Sequence, residues 1–224
     1  MDIIEQRIEE DILPLLTQET CRLLNNEQEA LSEISWTSNE ANLDKDFSEL
    51  AKKCCETAFS KIVQVNALEL EVNTPDLELT FRARDRVIQK KIELKSTKSL
   101  RGVSLGSTIL GLNPNMWTIF CLRHPNSEWF KVRYGRYHLG IEFSDSEKFQ
   151  DRSPRPRIDF FKYQIPEEAP KSEASTLGEE DIWGMYAKCA INRIENPSSY
   201  SWQDSLVKEI IRMVVRNPER FKNI

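Results

Sequence analysis

Two carboxylates and an ammonium group lie within the stretch TPDLELTFRARDRVIQKKIELKST, residues 74–97: Asp76, Glu93 and Lys95. Like charges directly opposed on a sheet destabilise it by up to ~1 kcal/mol, so an Asp-Glu pairing calls for a compensating cation. A hard divalent ion supplies one. Mg2+ binds through one or two carboxylates and keeps several waters, which leaves positions for a phosphate oxygen and an attacking water. Lys95 follows Glu93 by two residues and shares its face of a strand. There it could orient the water or stabilise charge building on a phosphorane. The competing arrangement is a solvated sheet face on which Lys91 and Lys95 neutralise the two acids as ordinary surface pairs.

The elements that must position these groups read as a β-hairpin. With Arg84-Asp85 as a two-residue turn, Ala83 faces Arg86 and Asp76 faces Glu93. Alternation then sorts the side chains. Leu77, Leu79, Phe81, Ile88, Ile92 and Leu94 fall on a dry side. Asp76, Glu78, Thr80, Arg82, Val87, Gln89, Lys91, Glu93 and Lys95 fall on a wet one.

Composition sets the outer limits. The chain has 224 residues, enough to bury a sizeable core. The five cysteines (Cys21, Cys54, Cys55, Cys121, Cys189) include no CxxC pair, and only His124 and His138 could join them as soft-metal ligands, so neither zinc nor a disulfide framework is expected. No run approaches the ~18 apolar residues of a membrane helix, and MDIIEQRIEED lacks a signal-peptide profile; both place the chain in the cytoplasm, away from a membrane. A formal net charge of −5 argues against coating nucleic acid by bulk electrostatics. The charge is unevenly spread. Residues 1–50 carry thirteen acids against three bases, whereas residues 82–101 carry eight bases against two acids. A polyanion gripped at one place fits that asymmetry.

Along the chain, Ile4, Ile8 and Ile12 begin a helical pattern that runs to about Ser35 and is broken or kinked at Pro14. A second helix is expected from Asp46 as N-cap, with Glu49 completing a capping box and Phe47, Leu50, Cys54, Ala58 and Ile62 as its apolar stripe. Strand character follows in IVQVNALELEV, then the hairpin, then a buried strand over MWTIFCLRH (116–124) and one or two more in WFKVRYGRYHLGIEF. IPEEAPKSEASTLGEED reads as a connection. Two helices, around 180–195 and 202–215, close the chain, the last ended by Asn217-Pro218. The order predicts an α/β or α+β fold, with a central mixed β-sheet flanked by helices. We expect one domain over 1–224, its core at about 46–165, with a helical N-terminal segment (1–45) and C-terminal helices (179–217) packed on it.

Pro75-Asp76, a sixteen-residue gap and Glu93-Leu94-Lys95 on the following strand resemble the PD-(D/E)XK nuclease signature. Chain size and solitary-domain build are most similar to a type II restriction endonuclease. The resemblance implies a restriction-endonuclease-like core, with Asp76 and Glu93 as Mg2+ ligands and Lys95 as the catalytic lysine. It further implies site-specific cleavage of double-stranded DNA to leave 5′-phosphates, a homodimer, and a bacterial or archaeal host defence in which a DNA methyltransferase acts on the same site. Family members often add a glutamate from the preceding helix. Glu56 is preferred here, with Glu49 and Glu78 as alternatives. Two other readings stand beside this one: a repair, junction-resolving or transposon-end nuclease with the same site, and a non-catalytic DNA-binding protein.

RGVSLGSTILG matches neither a phosphate loop nor a dinucleotide fingerprint, and its glycines suit packing or DNA contact equally. Lys98 and Arg101 follow the E-x-K strand. A second basic region holds Arg133, Arg136, Arg155 and Arg157, and arginine suits bidentate contact with guanine edges and phosphates. These six are the candidate DNA-binding residues. His124 and His138 lack a nucleophile partner, and structural roles are expected for both.

Overall fold

The computed structural model describes residues 3–34, 45–63, 68–83, 86–99, 101–106, 113, 115–123, 130–142, 157–170 and 201–221. The chain divides into two compact units. The first comprises residues 1–104, 113–141 and 158–176; the second comprises 105–112, 142–157 and 177–224.

The first unit is built on a five-stranded mixed sheet. Its strands are β1 (Glu69–Asn73), β2 (Leu77–Ala83), β3 (Arg86–Thr97), β5 (Trp117–Arg123) and β6 (Phe130–Arg136), in the order β1-β2-β3-β5-β6. β1, β2 and β3 form an antiparallel meander, β5 lies parallel to β3, and β6 is antiparallel to β5. Three short strands, β4 (Val103–Leu105), β7 (Ile141–Glu142) and β8 (Arg157–Asp159), form a second sheet in the order β4-β8-β7.

The hairpin register is the expected one: Ala83 pairs with Arg86 and Leu77 with Ile92. Leu77, Leu79, Phe81, Ile92 and Leu94 are buried, with Ile88 partly so, and all six belong to one core cluster. Trp117, Ile119 and Cys121 extend that dry face onto β5. The helices that cover it are α2 (Leu13–Asn26) and α4 (Lys45–Ile62), which pack on each other; α2 also lies against β5 and β6, and α4 against β1 and β2.

Pro14 does interrupt the N-terminal helical run. After α1 (Ile3–Arg7), residues Ile8–Ile12 form a π-helical turn, and α2 resumes with Pro14 in its first turn. Proline has no N–H to give to an i−4 carbonyl, and a widened turn just before it re-routes the ladder. A short helix α3 (Gln28–Glu33) follows. The second helix begins at Lys45, one residue before the expected cap. Phe47, Cys54 and Ala58 of its predicted stripe are buried, joined by Ala51 and Cys55. Burial pushes the Cys54 and Cys55 thiols up to about 12, as an apolar site disfavours the thiolate. Cys189 lies outside the described residues.

The outer edge of β6 is closed by side chains. Asn25 accepts the Val132 N–H and donates to the Val132 carbonyl, both at 2.9 Å. Gln28 does the same for Phe130, at 2.7 and 3.0 Å. Further along the edge, Tyr134 exchanges backbone bonds with Gln164. An edge strand otherwise presents unpaired donors and acceptors, and two carboxamides, each with a donor and an acceptor, substitute for a neighbouring strand.

The opposite face of β5 carries Phe120, which meets Phe160 and Tyr163 edge-on at 5.6 and 5.9 Å between centroids. Tyr163 presses against Gly140, the end of the short helix α5 (Tyr137–Gly140), where an added Cβ would lie 2.3 Å from the ring. In the second unit, α6 (Ser201–Arg216) ends at Asn217 as expected, and Pro218 opens a 3-10 turn. The helix expected around 180–195 lies outside the described residues.

Candidate metal centre

Asp76 closes the turn from β1 into β2, and the N–H of Glu78 donates to its backbone carbonyl at 3.1 Å. The β2–β3 ladder starts only at Leu77–Ile92. Past that point β3 continues without β2 beside it, and the Leu94 N–H donates to Asp76 Oδ1 at 2.9 Å. The side chain thus takes over one bond of the ladder and is fixed in orientation by it.

Glu93 stands on the wet face predicted for it but is only 4% exposed. It is a correction to the picture of a solvated face. Its neighbour on β5 is Thr118, also fully buried, and the same face one step on is roofed by Phe160 and Tyr163. Buried carboxylates require partners, and Glu93 has two ammonium groups: Lys95 Nζ lies 2.5 Å from Oε1 and Lys91 Nζ lies 3.0 Å from Oε2.

Lys91 is the residue that joins the two acids. Its ammonium is 2.7 Å from Asp76 Oδ2 as well as 3.0 Å from Glu93 Oε2. Each carboxylate therefore has one oxygen tied, to Leu94 N–H or to Lys95, and the other turned to a shared cation. Burial pulls the Lys91 pKa down, but the hydrogen bonds to Asp76 and Glu93 outweigh it, and the net shift is upward from the ordinary lysine value. Behind Glu93, the Tyr163 phenol is driven well up, chiefly by burial and then by Tyr137, and Glu93 adds to the shift. The phenol stays neutral.

The donor set suits a hard cation. Two carboxylate oxygens converge on one ammonium group, and oxygen ligands of this kind are those Mg2+ takes. Among the described residues there is no group of three or more His, Cys, Asp or Glu that could hold a metal, so Asp76 and Glu93 stand as a pair.

The three glutamates weighed as a third acid occupy different places. Thr74 Oγ1 donates to Glu49 Oε1 at 2.9 Å, two residues before Asp76. Glu49 is thereby engaged with the turn rather than with a capping box. Glu56 is exposed and lies two helical turns, about 10 Å, further along α4. Glu78 is exposed on β2, where Lys91 is its cross-strand partner.

The candidate DNA-binding residues separate into groups. Lys98 and Arg101 are exposed just beyond β3. Arg133 donates to the carbonyls of Phe161 and Tyr163 at 3.0 and 3.2 Å and lies over the Phe160 ring. Arg136 is buried; it donates to the Asn115 carbonyl at 2.6 Å, pairs with Glu9 at 3.2 Å and stacks on Trp117. Arg136 is enclosed by these contacts, whereas Arg133 is half-buried. Arg157 is half-buried on β8, and Arg155 lies outside the described residues. His138 is buried, and His124 is outside the described residues. Gly102, in the glycine-rich passage, has φ 69° and receives the Phe161 ring where a Cβ would be, so its role is turn and close approach.

The sequence pattern missed the bridging position of Lys91 and the Thr74–Glu49 bond. Lys91 was legible as a neutralising charge, since its face follows from alternation; that it spans both acids depends on Asp76 folding back over β3.

No protein-family model matches the chain, and no curated protein or solved structure matches it. No helix among the described residues is long and apolar enough to cross a membrane.

Proposed function

We propose that the chain is a Mg2+-dependent, sequence-specific endonuclease of the PD-(D/E)XK kind, hydrolysing double-stranded DNA to leave 5′-phosphates. One observation carries the reading: Asp76 Oδ2 and Glu93 Oε2 meet at a single cation, while Lys95, two residues from Glu93, holds its other oxygen. A meander followed by a parallel strand, with the acids at the start of β2 and in the middle of β3, agrees with the restriction-endonuclease-like core that the signature implies.

Asp76 and Glu93 would hold the metal. When bound, Mg2+ supplies Lewis-acid polarisation of a phosphoryl oxygen and lowers the pKa of water. The protein's own share is positional. Leu94 N–H aims Asp76, burial restricts water around Glu93, and Lys95 keeps a positive charge beside Glu93 that would orient an attacking water or stabilise a phosphorane oxygen. Exposed Lys98 and Arg101, at the end of the same strand, suit backbone phosphates. In the type II restriction reading the protein acts as a homodimer alongside a methyltransferase of the same specificity.

The test is incubation of the purified chain with unmethylated phage DNA and Mg2+. Discrete fragments with 5′-phosphate ends support the proposal. Structure-selective nicking would shift it to a repair or junction enzyme, and retardation without cleavage, at any divalent metal concentration, would overturn it in favour of a DNA-binding protein.

A further inference from the structure

We propose that Lys91 is a built-in competitor for the metal seat, an intramolecular cation that holds the two carboxylates together and must swing out before a divalent ion can enter. The inference rests on the metal-site reading above and adds to it a residue outside the D…E-x-K signature. Its ammonium lies between Asp76 Oδ2 and Glu93 Oε2, at 2.7 and 3.0 Å. A Mg2+ ligand oxygen sits at about 2.0–2.1 Å from the ion. An ion bound to both oxygens would therefore take the space and the charge role that Lys91 now fills, and two cations sharing so small a seat repel strongly.

Lys95 is placed differently. It contacts Glu93 alone, through Oε1, so an ion shared by Oδ2 and Oε2 leaves it where it is. Lys91 is also free to depart: its side chain is 45% exposed, on a flexible four-carbon stem, while Asp76 and Glu93 are 13% and 5% exposed. Without metal, the two ammonium groups offset the charge of the two carboxylates. The acids are thereby stabilised at a low-dielectric site until the ion arrives. The cost appears in metal affinity, because the competent state is only the fraction with Lys91 withdrawn and the apparent Kd rises by the inverse of that fraction.

The experiment is a Mn2+ titration of the full chain, following free Mn2+ by its electron paramagnetic resonance signal, for wild type, Lys91→Met, Lys91→Arg and Asp76→Asn, with folding of each checked by circular dichroism. The expected result is Mn2+ binding to Lys91→Met at least about tenfold tighter than to wild type, with Lys91→Arg within about threefold of wild type. In thermal unfolding, saturating Mn2+ should raise the midpoint of Lys91→Met more than that of wild type. Lys91→Gln serves if the methionine variant does not fold. Equal or weaker binding by the neutral variants, in a protein whose Mn2+ binding is abolished by Asp76→Asn, overturns the competitor role alone. Failure of every variant to bind Mn2+ in an Asp76-dependent way overturns the metal reading and this inference with it.

Discussion

Asp76 Oδ1 accepts the Leu94 N–H at 2.9 Å, a side chain completing a strand ladder that ends one residue earlier. The bond gives the aspartate a structural role beside the chemical one proposed for it. Asp76→Asn keeps an oxygen for Leu94 and removes the charge, whereas Asp76→Ala also strands a backbone donor and leaves Lys91 with Glu93 alone. We expect the asparagine variant to lose DNA cleavage while keeping its unfolding midpoint within about 2 °C of wild type. The alanine variant should lose cleavage and about 1–3 kcal/mol of stability as well, the cost of an unsatisfied donor. Urea denaturation beside a cleavage assay separates the two; full cutting by Asp76→Asn would remove Asp76 from the site.

Among the described residues Lys95 touches the Glu93 carboxylate and no other, so in the proposed reaction its charge would be available with the metal bound. Lys95→Met should reduce the single-turnover cleavage rate by about 10²–10³, the range for losing one preorganised stabilising group. Binding of duplex DNA in Ca2+ should change little. An equal loss of binding and rate would make Lys95 a docking residue instead.

The hairpin was legible in the sequence because its signals are local. Alternation assigns Leu77, Leu79 and Phe81 to one face and Lys91, Glu93 and Lys95 to the other whatever surrounds them, and the two-residue turn fixes the register. Glu93 was harder. Its residue type and face suggest solvent, yet it is buried beside Thr118 of β5, on the face where Phe160 and Tyr163, more than sixty residues away in the chain, pack on Phe120. The surroundings of Arg136 were hidden for the same reason: Glu9, Asn115 and Trp117, which close around it, come from distant parts of the chain. Glu49 followed a local rule, the capping box, that lost to a contact with Thr74 set by tertiary structure.

Glu19 links α2 to α4 through Lys61 at 3.3 Å and pairs with Arg22 at 2.6 Å. The Arg22 hydrogen bond holds its carboxyl below the usual value of 4.5; partial burial opposes this and Lys61 reinforces it. A carboxylate whose folded pKa is depressed contributes stability above its unfolded pKa and loses it as the pH falls through the folded one. Glu19→Gln should therefore be less stable than wild type at pH 7, and the difference should shrink as the pH drops below about 4.5. Urea midpoints measured from pH 7 to pH 3 check this, and a gap that widens toward acid would contradict it.

Arg136 and the pair Lys98 and Arg101 should respond to substitution in opposite ways. Arg136 is buried against Trp117 and bonded to Glu9 and Asn115. Breaking a buried pair from one side leaves the partner charge uncompensated, which costs roughly 3 kcal/mol or more. Arg136→Met should accordingly unfold at lower urea, and its affinity for duplex DNA, measured on the folded protein in Ca2+, should stay within about twofold of wild type. Lys98 and Arg101 are exposed beyond the strand that carries Glu93 and Lys95. Replacing both with alanine should leave the urea midpoint unchanged, weaken binding across DNA sequences alike, and reduce the slope of log affinity against log salt by about 2, one for each phosphate contact. An unchanged salt slope in the double variant would place the DNA elsewhere on the surface, away from the end of β3.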